Sequence, residues 1–213
     1  MIYVTETFAL TSRALAQVEE RLERELPRRT ALSQLGACWR TEVGTLNQLI
    51  LVWPYRDEAE RRRVEADQAA RAGWPPDIGS LLVERQATLW RPAPFSPPFV
   101  PRRLGNLYEI RVYTYPAGGI PGVIEAWNEI IDERVRHSPL VAAWYTDEGP
   151  EHEWMHIWAY ANAAERERVR DTVSRLGIWP ISVVDRRLNR TPRAVSIRMH
   201  NMLVVPVRFS PLC

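Results

Sequence analysis

The chain repeats itself. "GTLNQLILVWPYRDEAERRRVE" (44–65) lies over "GPEHEWMHIWAYANAAERERVR" (149–170) at an offset of 105 residues, the distance from Trp53 to Trp158. The same offset pairs Tyr3 with Tyr108, Trp39 with Trp144, Thr41 with Thr146, Tyr55 with Tyr160, and Trp74-Pro75 with Trp179-Pro180. Past that point the second copy carries nine extra residues near 181–193, and Phe95-Ser96-Pro97 matches Phe209-Ser210-Pro211 at an offset of 114. A fixed internal period means that one supersecondary unit is built twice. The boundaries are 1–97 for the first repeat, 98–105 for a linker and 106–213 for the second repeat.

Duplication allows each ambiguous segment to be read against its twin. "HEWMH" (152–156) spells H-E-x-x-H, in which two His one helical turn apart hold zinc and the Glu acts as general base. Its twin is "NQLIL" (47–51), followed by Val52, Trp53 and Pro54. That run is strand-like, and a proline would break a helix passing through it. Residues 152–160 therefore read as a strand. Four strand steps separate His152 from His156 by ~13 Å, too far for one ion with Zn–N bonds of about 2.0–2.1 Å. Glu153 points to the face opposite both His. No metal site and no metallopeptidase are expected.

Each half then reads strand, helix, strand, strand, helix, strand. The first covers 2–9, 12–31, 36–42, 46–55, 57–72 and 81–91; the second covers 106–115, 120–136, 140–147, 152–160, 163–175 and 195–205. Asp57 and Asn162 are N-cap candidates, and Gly73 reads as the stop of the helix before it. The order βαββαβ is the ferredoxin-like unit, with helices on one face of an antiparallel sheet. The other face needs a partner, which predicts an α+β fold of two tandem ferredoxin-like repeats packed sheet to sheet as a dimeric α+β barrel.

The bulk numbers exclude several classes. With 46% hydrophobic and 25% charged residues over 213 positions, the chain is typical of a soluble globular protein. No apolar run approaches the ~20 residues of a membrane span, and the N-terminus reads as a strand rather than a secretory leader. Two cysteines, Cys38 and Cys213, are too few for a disulfide framework, so the reading is cytoplasmic. All 28 cationic residues are Arg, a bias attributed to a GC-rich bacterial genome, and most alternate with Glu on solvated helix faces. Nucleic-acid binding is not expected, since only 185–193 is an unpaired basic cluster, and it reads as a solvated loop.

"LYEIRVYTY" (107–115), "TEVGTLNQ" (41–48), "VWPY", "HIWAY" (156–160) and "RPAPFSP" (91–97) resemble the NIPSNAP family, within the dimeric α+β barrel superfamily. The resemblance covers nearly the whole chain. It implies the barrel fold, a kinship with monooxygenases and related small-molecule enzymes, and a second use of such chains as adaptors or scaffolds.

Alternation sorts the strand side chains onto two faces. If the helices cover the more apolar face, Glu109, Arg111, Tyr113, Trp154, His156, Trp158, Tyr160, Arg198 and His200 point into the barrel. They are joined from the first repeat by Glu6, Trp53 and Gln86. The second repeat keeps polar groups that the first replaces, with His156 for Leu51 and Glu109 for Val4. The catalytic candidates are His156, Arg111, Glu109 and His200: two imidazoles as acid or base, a guanidinium clamp and a counter-ion. Trp158, Trp154, Tyr113, Tyr160, Glu6, Trp53, Gln86 and Arg198 form the expected wall around a small aromatic or polyketide-like ligand.

The expected function is a small-molecule protein, leaning towards a cofactor-independent acid–base enzyme (oxygenase, isomerase or cyclase) of bacterial secondary metabolism. The competing reading is a non-catalytic interaction or assembly module, using 95–105 and 185–193 as contacts. Haem with His156 or His200 as ligand is a minor third reading, and homo-oligomers are open.

Overall fold

The structure is a computed structural model that describes residues 1–71, 74–146, 152–192 and 195–213. The reading of Gly73 as a helix stop lies outside the described residues. Strands β1 (Ile2–Leu10), β2 (Ala37–Val43), β3 (Gln48–Tyr55), β4 (Leu82–Pro92), β5 (Leu107–Tyr115), β6 (Leu140–Tyr145), β7 (His152–Tyr160) and β8 (Arg198–Pro206) alternate with helices α1 (Leu15–Thr30), α2 (Glu58–Arg71), α3 (Ile120–Asn128), α4 (Ile131–Arg134), α5 (Ala163–Arg175) and α6 (Ile181–Arg187). The β7 segment is a strand along its whole length, in register with β5, so His152 lies opposite Tyr115 and His156 opposite Arg111. "HEWMH" therefore has no helical zinc geometry.

Two compact units divide the chain, and each takes the tail of the other repeat. Unit 1 comprises Met1–Trp90, Phe99–Arg103 and Met202–Cys213; unit 2 comprises Arg91–Pro98 and Leu104–Asn201. In unit 1, β3 pairs with both β1 and β2, β4 lies on the other side of β1, and the end of β8 pairs with β2. In unit 2, β7 pairs with β5 and β6, and the last two residues of β4 pair with β6. The repeated Phe-Ser-Pro segment explains part of this exchange. Ser96 accepts from the Ala143 amide at 3.1 Å within unit 2, and Ser210 accepts from the Cys38 amide at 2.9 Å within unit 1. Each serine thus satisfies an amide of the opposite repeat.

Local chemistry fixes the element ends. Asp57 accepts from the Glu60 amide at 2.8 Å, and Asn162 from the Glu165 amide at 3.0 Å. Glu60 and Glu165 reach back to the amides of Arg56 and Ala161, so both helices open on capping boxes. Thr41 and Thr146 are also twins in use: their hydroxyls accept from the Gln48 and Glu153 amides, tying the end of β2 to the start of β3 and the end of β6 to β7. The single helix expected over 120–136 is two, α3 and α4, separated at Glu129–Ile130. Its broad apolar stripe could not reveal that break. Part of the basic segment expected as a loop, 185–187, is the end of helix α6.

In each unit the helices lie on one face of the sheet over an apolar layer. Val18 and Leu22 of α1 and Val64 of α2 pack with Phe8, Leu49, Leu51, Trp53 and Tyr55 in unit 1. Val123 and Trp127 of α3 and Val169 and Val173 of α5 pack with Ala143, Trp154, Trp158 and Tyr160 in unit 2. The expected sorting of faces is thereby inverted. Trp154, Trp158 and Tyr160 lie under the helices, while Met155, Ile157 and Ala159, expected there, are buried on the opposite face. Both faces of these strands are buried and apolar, and alternation cannot orient such a strand. Val195, Ile197 and Met199, also expected under helices, are exposed at 65–69%.

Candidate functional site

The polar residues expected around one interior do gather, but between the helices and the sheet of unit 2. The neighbouring strands β5 and β7 place Glu109, Arg111 and Tyr113 beside Trp158, His156 and Trp154. Helix α5 rises over them with its charged stripe turned inward. Glu109 is fully buried; its Oε1 accepts from Arg111 at 2.9 Å and from Arg166 at 2.6 Å, and Arg170 lies 3.6 Å from its Oε2. Burial alone would raise the Glu109 pKa, but Arg166, Arg170 and Arg111 outweigh it and hold the carboxyl below its ordinary range. Arg111 also donates to the Tyr113 hydroxyl at 2.6 Å. Burial opposes the Arg111 charge, yet Tyr113 and Glu109 keep its pKa above the usual guanidinium value.

His156 is 1% exposed and enclosed by rings. Trp127 lies 4.8 Å and Tyr113 5.2 Å away by ring centroid, both edge to face, with Trp158 and Trp179 at 6.3 Å. The Trp158 indole N–H donates to His156 Nδ1 at 2.8 Å. Burial, then the charges of Arg111, Arg134 and Arg170, push the imidazole pKa well below its usual value. The ring is accordingly neutral, and since Nδ1 accepts, the proton sits on Nε2. That Nε2–H is buried with no hydrogen-bond partner among the described residues. In this arrangement His156 is a hydrogen-bond donor, and Glu109 is an ionised orienting group rather than a ready base. A haem iron at His156 does not fit these contacts, because the Trp158 N–H occupies Nδ1 and leaves the proton on Nε2, the nitrogen an iron would need.

The remaining candidates are elsewhere. Glu6 and Trp53 lie in the helix–sheet layer of unit 1, where the Trp53 indole donates to Glu6 at 3.0 Å and Arg85 also binds Glu6. Gln86 on β4 and Arg198 and His200 on β8 are exposed. The expectation of one ring of residues pointing into a barrel is corrected accordingly. His156, Arg111, Glu109, Tyr113, Trp154, Trp158 and Tyr160 form a group in unit 2. His200, Arg198 and Gln86 do not join it.

Sequence reasoning overlooked Arg134, Arg166, Arg170 and the role of Trp127. Arg134 is 1% exposed, stacks over Trp158 and donates to Ser138 Oγ at 2.9 Å. Its twin Arg29 stacks over Trp53 and donates to Ser33 and to Tyr55, both at 2.8 Å. Arg29 and Arg134, and Ser33 and Ser138, obey the 105-residue offset and were there to be found.

Comparison with known proteins places the chain. The NIPSNAP family model matches residues 3–97 and 108–211, so the protein belongs to the NIPSNAP family. It is 26% identical over 186 residues to Protein NipSnap of Drosophila melanogaster, covering 84% of this chain and 64% of that protein. It is 22% identical over 174 residues to the Protein NipSnap homolog of Dictyostelium discoideum, covering 80% and 74% of the two. The chain thus spans a little under two thirds of the fly relative's length. A solved structure of an anthrone oxidase-like protein superposes with a TM-score of 0.62 at 10% identity, covering 99% of this chain and 93% of that one. At that identity the likeness concerns the mixed α+β fold alone. Among the described residues no helix is long and apolar enough to cross a membrane.

Proposed function

We propose that this NIPSNAP protein binds a small aromatic or polyketide-like molecule at the helix–sheet layer of unit 2, and acts on it without a cofactor. One observation carries the reading. A buried neutral imidazole presents an unused N–H beside Arg111 and Tyr113, at the position where the first repeat has Leu51. A hydrogen-bond donor and a guanidinium side by side stabilise negative charge developing on a phenol or ketone oxygen. Such stabilisation is the common requirement of cofactor-free oxygenation, isomerisation and cyclisation, all of which pass through an enolate or phenolate. Trp127 and Tyr113 supply aromatic faces at the same place.

The name of the anthrone oxidase-like neighbour suggests a first probe. Anthrone plus O₂ gives anthraquinone plus water, a reaction followed by the quinone absorbance. Turnover by the wild type that falls at least a hundredfold in both His156→Leu and Arg111→Gln is the expected result. Turnover equal to buffer, or unchanged in folded variants, removes this reading. A second reading, an assembly module, draws on Val83, Val195, Ile197 and Met199, all exposed at 65–69%. Its other expected contact, the 95–105 segment, is not free. Phe99 is buried against Tyr3 and Trp39, and Phe95 stacks on Trp127. Concentration-dependent self-association that Ile197→Glu abolishes would favour it.

A further inference from the structure

We propose that unit 2 holds the oxyanion group of a small molecule, a carboxylate or a phosphate, between Arg111, Arg166 and Arg170. The inference rests on reading unit 2 as the ligand-bearing unit and adds the chemical class that it takes.

The argument is one of charge at equivalent positions. In the first repeat, Val4, Glu6, Arg29, Arg61 and Glu65 occupy the places that Glu109, Arg111, Arg134, Arg166 and Arg170 occupy in the second. The first set has two carboxylates and two guanidiniums and is neutral. The second has one carboxylate and four guanidiniums, leaving three positive charges uncancelled. The same architecture is therefore stable with balanced charge, and the excess in unit 2 is not required by the fold. Guanidiniums gathered round too few carboxylates repel one another, so a surplus of this size is expected where a ligand supplies the missing anion.

Hydrogen bonding agrees. Glu109 Oε1 already takes two donors, while Arg170 stands 3.6 Å from Oε2, beyond hydrogen-bond distance. The Arg166 Nε–H is buried without a partner among the described residues. The fully buried Glu109 acts as a floor that holds the guanidiniums together. Above it, side-chain exposure rises from 16% at Arg111 through 22% at Arg166 to 37% at Arg170, so the cluster is reached from solvent. Several guanidinium forks meeting at one place suit the geometry of a carboxylate or phosphate. His156, opposite Arg111 with its own unpartnered N–H, lies on the inner side, where the body of the ligand would follow.

Inorganic phosphate and benzoate, titrated at constant ionic strength against sodium chloride, test the proposal by calorimetry and by melting temperature. The wild type should bind at least one of the two saturably, and Arg170→Gln should weaken that binding at least tenfold. Arg62→Gln, on the exposed face of the first repeat's helix α2, should leave it within twofold. Phosphate alone binding would assign a phosphorylated ligand, and benzoate alone a carboxylic acid. Saturable binding of neither anion, or binding that Arg170→Gln and Arg62→Gln affect alike, overturns the proposal. The two readings fail separately. Anthrone turnover without anion binding removes the anion site and leaves the enzyme. Arg170-dependent anion binding with no turnover removes the oxidation and leaves the site.

Discussion

The guanidinium carbon of Arg134 lies 3.9 Å from the centre of the Trp158 ring, and its twin Arg29 lies 3.8 Å from that of Trp53. Each cation is buried, donates to a serine four residues on, and has no carboxylate in ion-pair distance among the described residues. Burial lowers the pKa of both guanidiniums. An aromatic face and two hydroxyls thus stand in for a counter-ion, and the same solution in both repeats marks it as part of the fold. The resulting order of variants inverts ordinary conservatism. Arg134→Met fills the space without a buried charge and should cost about 1 kcal/mol. Arg134→Lys keeps a more strongly hydrated charge that can neither fork nor stack flat, and should cost about 2–3 kcal/mol. Urea unfolding followed by tryptophan fluorescence decides. A lysine variant as stable as the wild type would refute the stacking argument.

His156 makes stability depend on pH in a known direction. Its pKa is pushed well below the ordinary 6.5 by burial first and by three arginines next. The native state therefore resists a proton that the unfolded chain accepts. Stability from this group is complete above the unfolded pKa and declines as pH falls below about 6.5. His156→Leu, copying Leu51 of the first repeat, should flatten the urea midpoint between pH 7.5 and 5.0. An unchanged slope would mean that another group titrates there.

Glu109 works in the same sense, in a more acidic window. Burial raises its pKa, but Arg166, Arg170 and Arg111 bring it below the ordinary value. Its contribution is present above the unfolded pKa and is lost as pH falls through the lower folded one. Glu109→Gln at pH 7 removes the one carboxylate that, among the described residues, pairs with Arg111, Arg166 and Arg170, and should cost about 3–5 kcal/mol, as expected when a buried ion pair is broken on one side. Because the variant strengthens like-charge repulsion, raising the salt from 50 to 500 mM should stabilise it more than the wild type. Equal responses to salt would show that the arginines are already solvated.

How far the molecule could be read in advance varies by level. The twin of "HEWMH" decided helix against strand because Pro54 tests the local backbone, and backbone preference is a short-range property. The choice of face failed for the same strands. Trp154, His156 and Trp158 alternate with Met155, Ile157 and Ala159, and both sets are buried. Hydrophobic contrast, the usual guide, is absent there. "AERERVR" has the spacing of surface ion pairs, so from sequence the arginines of α5 form a solvated stripe. Only the fold shows that Arg166 and Arg170 turn towards Glu109, 57 and 61 residues earlier in the chain. The charge imbalance between repeats was visible in the residues once the offset was known. Its meaning needed the three-dimensional neighbours.

The capping boxes give a prediction independent of any ligand. Asp57 with Glu60 and Asn162 with Glu165 satisfy amides at the starts of α2 and α5 that no helical carbonyl can reach. Both lie in exposed turns, so replacing the cap removes one hydrogen bond and leaves the core alone. Asp57→Ala and Asn162→Ala should each lower the urea midpoint by a measurable step. Asp57 carries a charge that favours the helix N-terminus, which lowers its pKa through the Glu60 amide first. Its variant should therefore lose its penalty in acid, while that of Asn162→Ala stays constant with pH. The two caps share no partner, so the double variant should equal the sum of the singles. A double variant well outside that sum would show that the two caps are energetically coupled, which separate local caps do not predict.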